Sequence, residues 1–162
     1  MQKGVQGISQ MKLLIDSNVI LDYLADRVPF AQSADTIFSL CSSGDITGFM
    51  TASAVTDIYY VVRKAVGHRM ALENIRLVSG LLEITEVCKS DIVCALEMDM
   101  PDFEDAVISV CAKREKADYI ITRDVKDFSK ARTTAMMPDD FLRLHFPYLF
   151  TQTGKKTTLL SE

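Results

Sequence analysis

The chain has 162 residues, 48% of them hydrophobic and 25% charged, which allows one domain with a real core and leaves little room for a second. Its formal net charge of −4 and pI near 5.2 exclude a general basic field that would draw in nucleic acid or anionic lipid, so any polyanion must be gripped locally. No apolar run approaches the roughly 18 residues that span a bilayer, and the opening MQKGVQGISQ lacks a basic-then-apolar secretory pattern, so we expect a cytoplasmic protein with no membrane partner.

Residues 1–10 are rich in Gln, Gly and Ser and lack periodicity, the pattern of a leader or extension ahead of a domain over 11–147. The run KLLID over 12–16 is short and apolar and ends abruptly in an acid, which suits a strand buried on both faces of a parallel sheet. Helical patterns follow at about 17–25 and 32–43, where Ala34, Ile37, Phe38 and Cys41 share a face and Gly44 supplies a stop. A second strand fits 46–50. A helix then runs over about 53–66, breaks at Gly67 and is followed by another over about 70–82. A short strand at 84–87 and a helix at about 91–98 come next. Pro101 interrupts, Asp102 can cap a helix running to about Lys116, and a strand over 119–122 ends just before Asp124. Residues 133–136 suit a last strand, Pro138 opens a short final helix, and 148–162 read as a polar tail, without periodicity and mobile from Thr151. Strands separated by helices throughout imply parallel pairing through right-handed crossovers, hence an α/β sandwich.

Ligands of such sheets collect outside the carboxyl ends of the strands. Asp16 ends the first strand and Asp124 lies just past the 119–122 strand, so both should reach that edge. Asp105 falls in the first turn of the preceding helix with Asp102 three residues before it, and Asp57 is on the helix after the second strand. These motifs carry no compensating Lys or Arg. Close carboxylates persist together only when a cation neutralises them or some take up protons. An oxygen-only donor set suits hard Mg²⁺ or Mn²⁺, one ion or two, and such an ion can orient water and stabilise charge building on a phosphate. His68 and His145 are far apart and fit no metal motif, and Cys41, Cys88, Cys94 and Cys111 show no zinc spacing, so all four cysteines read as reduced core residues.

The segments LLIDSNVILDYL, TASAVTDIYYVVRK and DFEDAVISVCAKREKADYIITRDVKDF resemble, in order, the successive motifs of PIN-domain proteins, and the similarity covers about residues 12–146. The resemblance implies a three-layer sandwich with a central parallel sheet flanked by helices. It also implies a Mg²⁺- or Mn²⁺-dependent ribonuclease, most often the toxin of a bacterial toxin–antitoxin pair, with a homodimer and an inhibitory antitoxin as partners. Carried over by motif, the four acids are Asp16, Asp57, Asp105 and Asp124 as catalytic and metal-binding residues. The second is more often Glu in the family, so Asp57 is a shortened version. Asn18 and Thr122 match polar residues beside the first and last acids and are implied substrate contacts, and Asp102 or Asp127 could be auxiliary.

Each residue also has a plainer role. Asp16 could cap the helix that follows it, Asp102 reads as an N-cap, Asp127 as a turn residue, and the Tyr59-Tyr60 pair as core packing before base stacking. An inactive PIN-like module that binds RNA or a partner is the alternative outside enzymes. A haloacid-dehalogenase-like phosphatase would need a second Asp where this chain has Asn18, and a response-regulator receiver would need a phospho-accepting Asp after a middle strand. An acidic nuclease still needs cations for its substrate. Lys64 lies seven residues after Asp57, within about 20° of the same helical face and about 10 Å along the axis. It is the expected RNA-backbone contact, with Arg69 second.

Overall fold

The structure, a computed structural model, describes residues 10–154; the expected leader over 1–10, except Gln10, and the part of the expected tail beyond 154 lie outside the described residues. β1 (Met11–Ile15) leads into α1 (Ser17–Leu24) and α2 (Ala31–Ser43). β2 (Ile46–Thr51) leads into the long α3 (Ala52–Leu81). β3 (Glu83–Thr85) is followed by α4 (Lys89–Leu96) and α5 (Phe103–Arg114), and β4 (Tyr119–Ile121) by a 3₁₀ turn at Val125–Phe128. β5 (Thr134–Met136), α6 (Pro138–His145) and a 3₁₀ segment over Pro147–Gly154 complete the described chain.

All five strands are parallel, in the order β3-β2-β1-β4-β5. Alternation along each strand decides the layers. Leu13, Ile15 and Ile121 face a core built with Val19, Ile37, Phe38, Ile58 and Phe141, whereas Leu14 and Ile120 face Ala106, Ile108, Cys111 and Phe128 on the other side. The result is the expected three-layer sandwich, with α1, α2, α3 and α6 packed into the first core and α4 and α5 into the second. Among the described residues no helix is long and apolar enough to cross a membrane.

Two glycines act where anticipated. Gly44 ends α2 in the left-handed region at φ 80°, and Gly67, at φ 82° and ψ 171°, breaks α3 into two helical stretches that resume without a gap. A third, Gly48 in β2, is required for space, since a Cβ there would stand 2.6 Å from Leu82 Cδ2 and 2.8 Å from Cys41 Sγ.

The expectation that all four cysteines are core residues is corrected. Cys111 is buried and Cys41 half-buried, but Cys94 is exposed and Cys88 only half-buried at the start of α4. That short helix buries a stripe of Asp91 and Ala95, which turns Val93, Cys94 and Leu96 outward. The tyrosine pair also divides. Tyr59 packs on the core and meets His68 Nδ1 at 2.7 Å through its hydroxyl, while Tyr60 is 58% exposed.

Candidate active site

The order 3-2-1-4-5 places β1 and β4 side by side with their crossovers leaving in opposite directions, the switch point where such sheets open a crevice. Asp16 and Thr122 are the residues that leave these two strands. The backbones are tied there, because the Asp16 N–H donates to the Ile121 carbonyl at 2.9 Å and the Thr122 N–H to the Met136 carbonyl at 3.0 Å.

Asp16 occupies the N-cap position of α1, and its carbonyl accepts from Val19 and Ile20, yet its side chain makes no capping bond. The carboxylate instead accepts a 2.8 Å hydrogen bond from Thr122 Oγ1. The capping role is therefore not what the side chain performs. Thr122 Oγ1 in turn accepts from the Asp124 N–H at 3.0 Å, and Asn18 Nδ2 donates to Asp124 Oδ2 at 2.9 Å. Asn18 and Thr122, both named from the sequence, thus brace the first and last acids in a single network. One wall of the cleft is made.

The opposite wall is the first turn of α5. Asp102 caps it, its Oδ1 accepting from the N–H groups of Glu104 at 2.8 Å and Asp105 at 3.3 Å, and so takes the structural role expected of it. The turn then presents Glu104 and Asp105 across the cleft. Ser17 Oγ at the head of α1 donates to Glu104 Oε1 at 3.4 Å, linking the two walls. The cleft is lined by Asp16, Asn18, Asp102, Glu104, Asp105, Asp124, Asp127 and a few neighbours.

Among the described residues, six acids line the cleft against a single cation, Arg27. Burial is the main cause that pushes the Asp105 carboxyl up to about 7, followed by repulsion from Asp16, Asp102, Asp127 and Glu104. Burial likewise raises Asp16, against the hydrogen bond from Thr122, with Asp124 adding repulsion. Glu104 is raised by burial and then by the charges of Asp57, Asp16 and Asp102. Acids held this way call for a positive charge between the walls. The donors are all oxygens, which suits a hard divalent cation, and Asp16, Asp105 and Asp124 with Glu104 are the residues able to hold it. Among the described residues no three acidic, His or Cys side chains stand in a ligating arrangement.

The expected residues are not all brought together. Asp57 is exposed on α3 and does not line the cleft, and its charge reaches the cluster through Glu104. Lys64 and Arg69 are exposed on α3 outside the cleft, and Arg69 pairs with Glu73 at 3.5 Å. Sequence reasoning did not assign Glu104 to the site. The signal is the acid run DFED, in which Glu104 directly precedes Asp105 in the first turn of the helix.

The loop carrying Asp124 has a second anchor. Arg123 lies 4.5 Å over the Phe30 ring and brings its Nε to 3.1 Å from Asp22, a carboxylate only 1% exposed. The pair is in contact without hydrogen-bond alignment, since neither Asp22 oxygen has a hydrogen-bond partner. Burial accordingly outweighs the attraction of Arg123 and Arg27 and raises Asp22 above the usual carboxylate range.

Comparison with known proteins adds to this geometry. The sequence matches a family model described as PIN domain over residues 12–126, the stretch from β1 to the turn after Asp124. It is 30% identical over 131 residues to Ribonuclease VapC1 of Aquifex aeolicus, covering 73% of this chain and 85% of that protein. Among solved structures, VapBC2 of Rickettsia felis bound to a promoter DNA fragment aligns with a TM-score of 0.63 at 14% identity, over 78% of this chain and 98% of that one. A toxin–antitoxin complex from Klebsiella pneumoniae aligns at 0.60 with 16% identity, over 78% and 97%. At such identities these two likenesses speak to the fold alone.

Proposed function

Since this chain belongs to the PIN-domain family, we propose that its acidic cleft is the active site of a ribonuclease that hydrolyses RNA phosphodiester bonds with Mg²⁺ or Mn²⁺. The observation that carries this reading is the pair of facing acidic walls, with Asp105 pushed up to about 7 by burial and by the charges around it. A relative named as a ribonuclease supports the substrate class.

Asp16 and Asp124 are the acids of the strand-edge wall, kept in place by Thr122 and Asn18. Asp105 and Glu104 form the facing wall, so a phosphodiester lying between them meets carboxylates from both sides. A divalent cation held by Asp16, Asp105 and Asp124 would supply the charge that stabilises the phosphate and lowers the pKa of an attacking water. Thr122 and Asn18 fix their carboxylates before substrate arrives, which removes part of the ordering cost from the reaction. Asp57 acts at one remove, through Glu104. Lys64 sits on the solvated face of α3, where it would meet RNA only beyond the cleft.

The partners in this reading are RNA, a second copy of the chain, and an antitoxin that inhibits the enzyme, by analogy with the toxin–antitoxin complex of the same fold. Purified protein should cut labelled single-stranded RNA with Mn²⁺ and stop when EDTA is added. Asp16→Asn should abolish cutting while leaving the circular dichroism spectrum unchanged. A folded Asp16→Asn protein that cuts at the parental rate would overturn the assignment.

A further inference from the structure

Among the described residues, Arg27 is the one cation on the wall of a cleft lined by Asp16, Asp102, Glu104, Asp105, Asp124 and Asp127. An RNA phosphate entering there must find positive charge, because the chain as a whole is acidic and offers no steering. Lys64 and Arg69 do not supply it inside the cleft.

Arg27 is launched from a fixed point. Its N–H donates to the Asp22 carbonyl at 3.1 Å, and its own carbonyl accepts from Phe30 and Ala31 at 2.8 Å each. The side chain is 42% exposed and only leans on Asp22, at 3.9 Å. Asp22 is already in closer contact with Arg123, at 3.1 Å, and Arg123 is held in turn by the Phe30 ring. One buried carboxylate therefore serves two arginines unequally. Arg123 is the closer partner, at 3.1 Å and 27% exposed, while Arg27, at 3.9 Å and 42% exposed, is the looser of the two and the one that lines the cleft. A guanidinium offers paired donors in a planar fork that matches a phosphate.

We propose that Arg27 binds the RNA phosphate backbone in the acidic cleft, a role that rests on the ribonuclease reading and names the residue by which this site takes its substrate. Arg27 acts on binding, so its loss falls on KM rather than on kcat. Asp22 is the positioning residue that presents it.

The test measures cleavage of a labelled single-stranded RNA by the full chain in Mn²⁺ over a series of KCl concentrations. Arg27→Gln should raise KM about tenfold, as for the loss of one charge-assisted hydrogen bond, with kcat within about twofold of the parent. The slope of log KM against log salt should flatten by about 0.7, one phosphate contact on a single strand. Arg27→Lys should keep the parental slope because it keeps the charge. The proposal is overturned if folded Arg27→Gln shows the parental KM and slope. It is equally overturned if Arg27→Gln fails to fold, since Arg27 would then be a structural partner of Asp22. A parent that does not cut RNA overturns the ribonuclease reading and this proposal together, whereas an active parent with an unaffected Arg27→Gln overturns this proposal alone.

Discussion

Replacing Asp105 with Asn removes one negative charge from the first turn of α5 while keeping the size of the side chain, so the change isolates electrostatics from packing. In the unfolded chain this carboxyl ionises near 3.8, and in the cleft it is pushed up to about 7, by burial first and by Asp16, Asp102, Asp127 and Glu104 next. The sign follows from proton binding: the native state holds the proton more tightly, so stability falls as pH rises from about 4 to about 7 and the penalty is complete above that. At face value the difference is about 4 kcal/mol. The cleft is open to solvent, and screening reduces it to about 1–2 kcal/mol. For a chain of this size that is about 3–6 °C in melting temperature. Thermal melts in EDTA should therefore show Asp105→Asn more stable than the parent at pH 8 and equal to it only near pH 3, below the unfolded value of 3.8. An Asp105→Asn protein that melts at or below the parental temperature at pH 8 would refute the claim that these acids repel one another across the cleft.

Gly48→Ala should lower the melting temperature through a cost of about 1–3 kcal/mol, because the new Cβ would stand 2.6 Å from Leu82 Cδ2; an unchanged melt would show that β2 has room there. Asp91 is 4% exposed, accepts the Cys88 N–H at 2.9 Å and pairs with Arg114 at 3.2 Å, so Asp91→Ala should cost about 2–3 kcal/mol in urea denaturation, and a loss below about 0.5 kcal/mol would count against it. Asp57→Asn and Glu104→Gln should have non-additive effects on metal-free melting temperature, since the two charges raise each other's cost, and strict additivity in the double variant would remove Asp57 from the cluster.

The fold was legible because its rules are local. Short apolar runs alternate with helical periodicity, Gly44 and Gly67 mark the breaks that the backbone uses, and acids at strand ends mark the functional edge. The pattern alone places Asp16, Asp105 and Asp124 at that edge, the family resemblance adds Asn18 and Thr122, and the structure gathers all five at the switch point. What escaped depends on distances between elements. Helical spacing aligns Lys64 with Asp57 on α3, but it is silent on whether that face turns toward the cleft, and neither residue lines it. Glu104 enters because Ser17 on α1 stands opposite the first turn of α5, a contact across 87 positions of sequence. Arg27 sits in a connecting turn without periodicity, and its value comes only from a buried Asp22 shared with Arg123. Cys94 was assigned to the core by residue type, although a helix that buries one narrow stripe leaves it outside.

Both walls of the cleft should hold one kind of guest, a hard divalent cation. Calorimetric titration of Mn²⁺ into the metal-free protein at pH 7.5 tests this directly, with Asp16→Asn, Asp105→Asn and Asp124→Asn beside the parent. Saturable binding in the parent, weakened at least about tenfold in each folded variant, is the expected result, with a rise of about 2.7 kcal/mol in parental stability when Mn²⁺ reaches a hundred times its Kd. Parental affinity in all three variants, or no saturable binding in the parent, would contradict it.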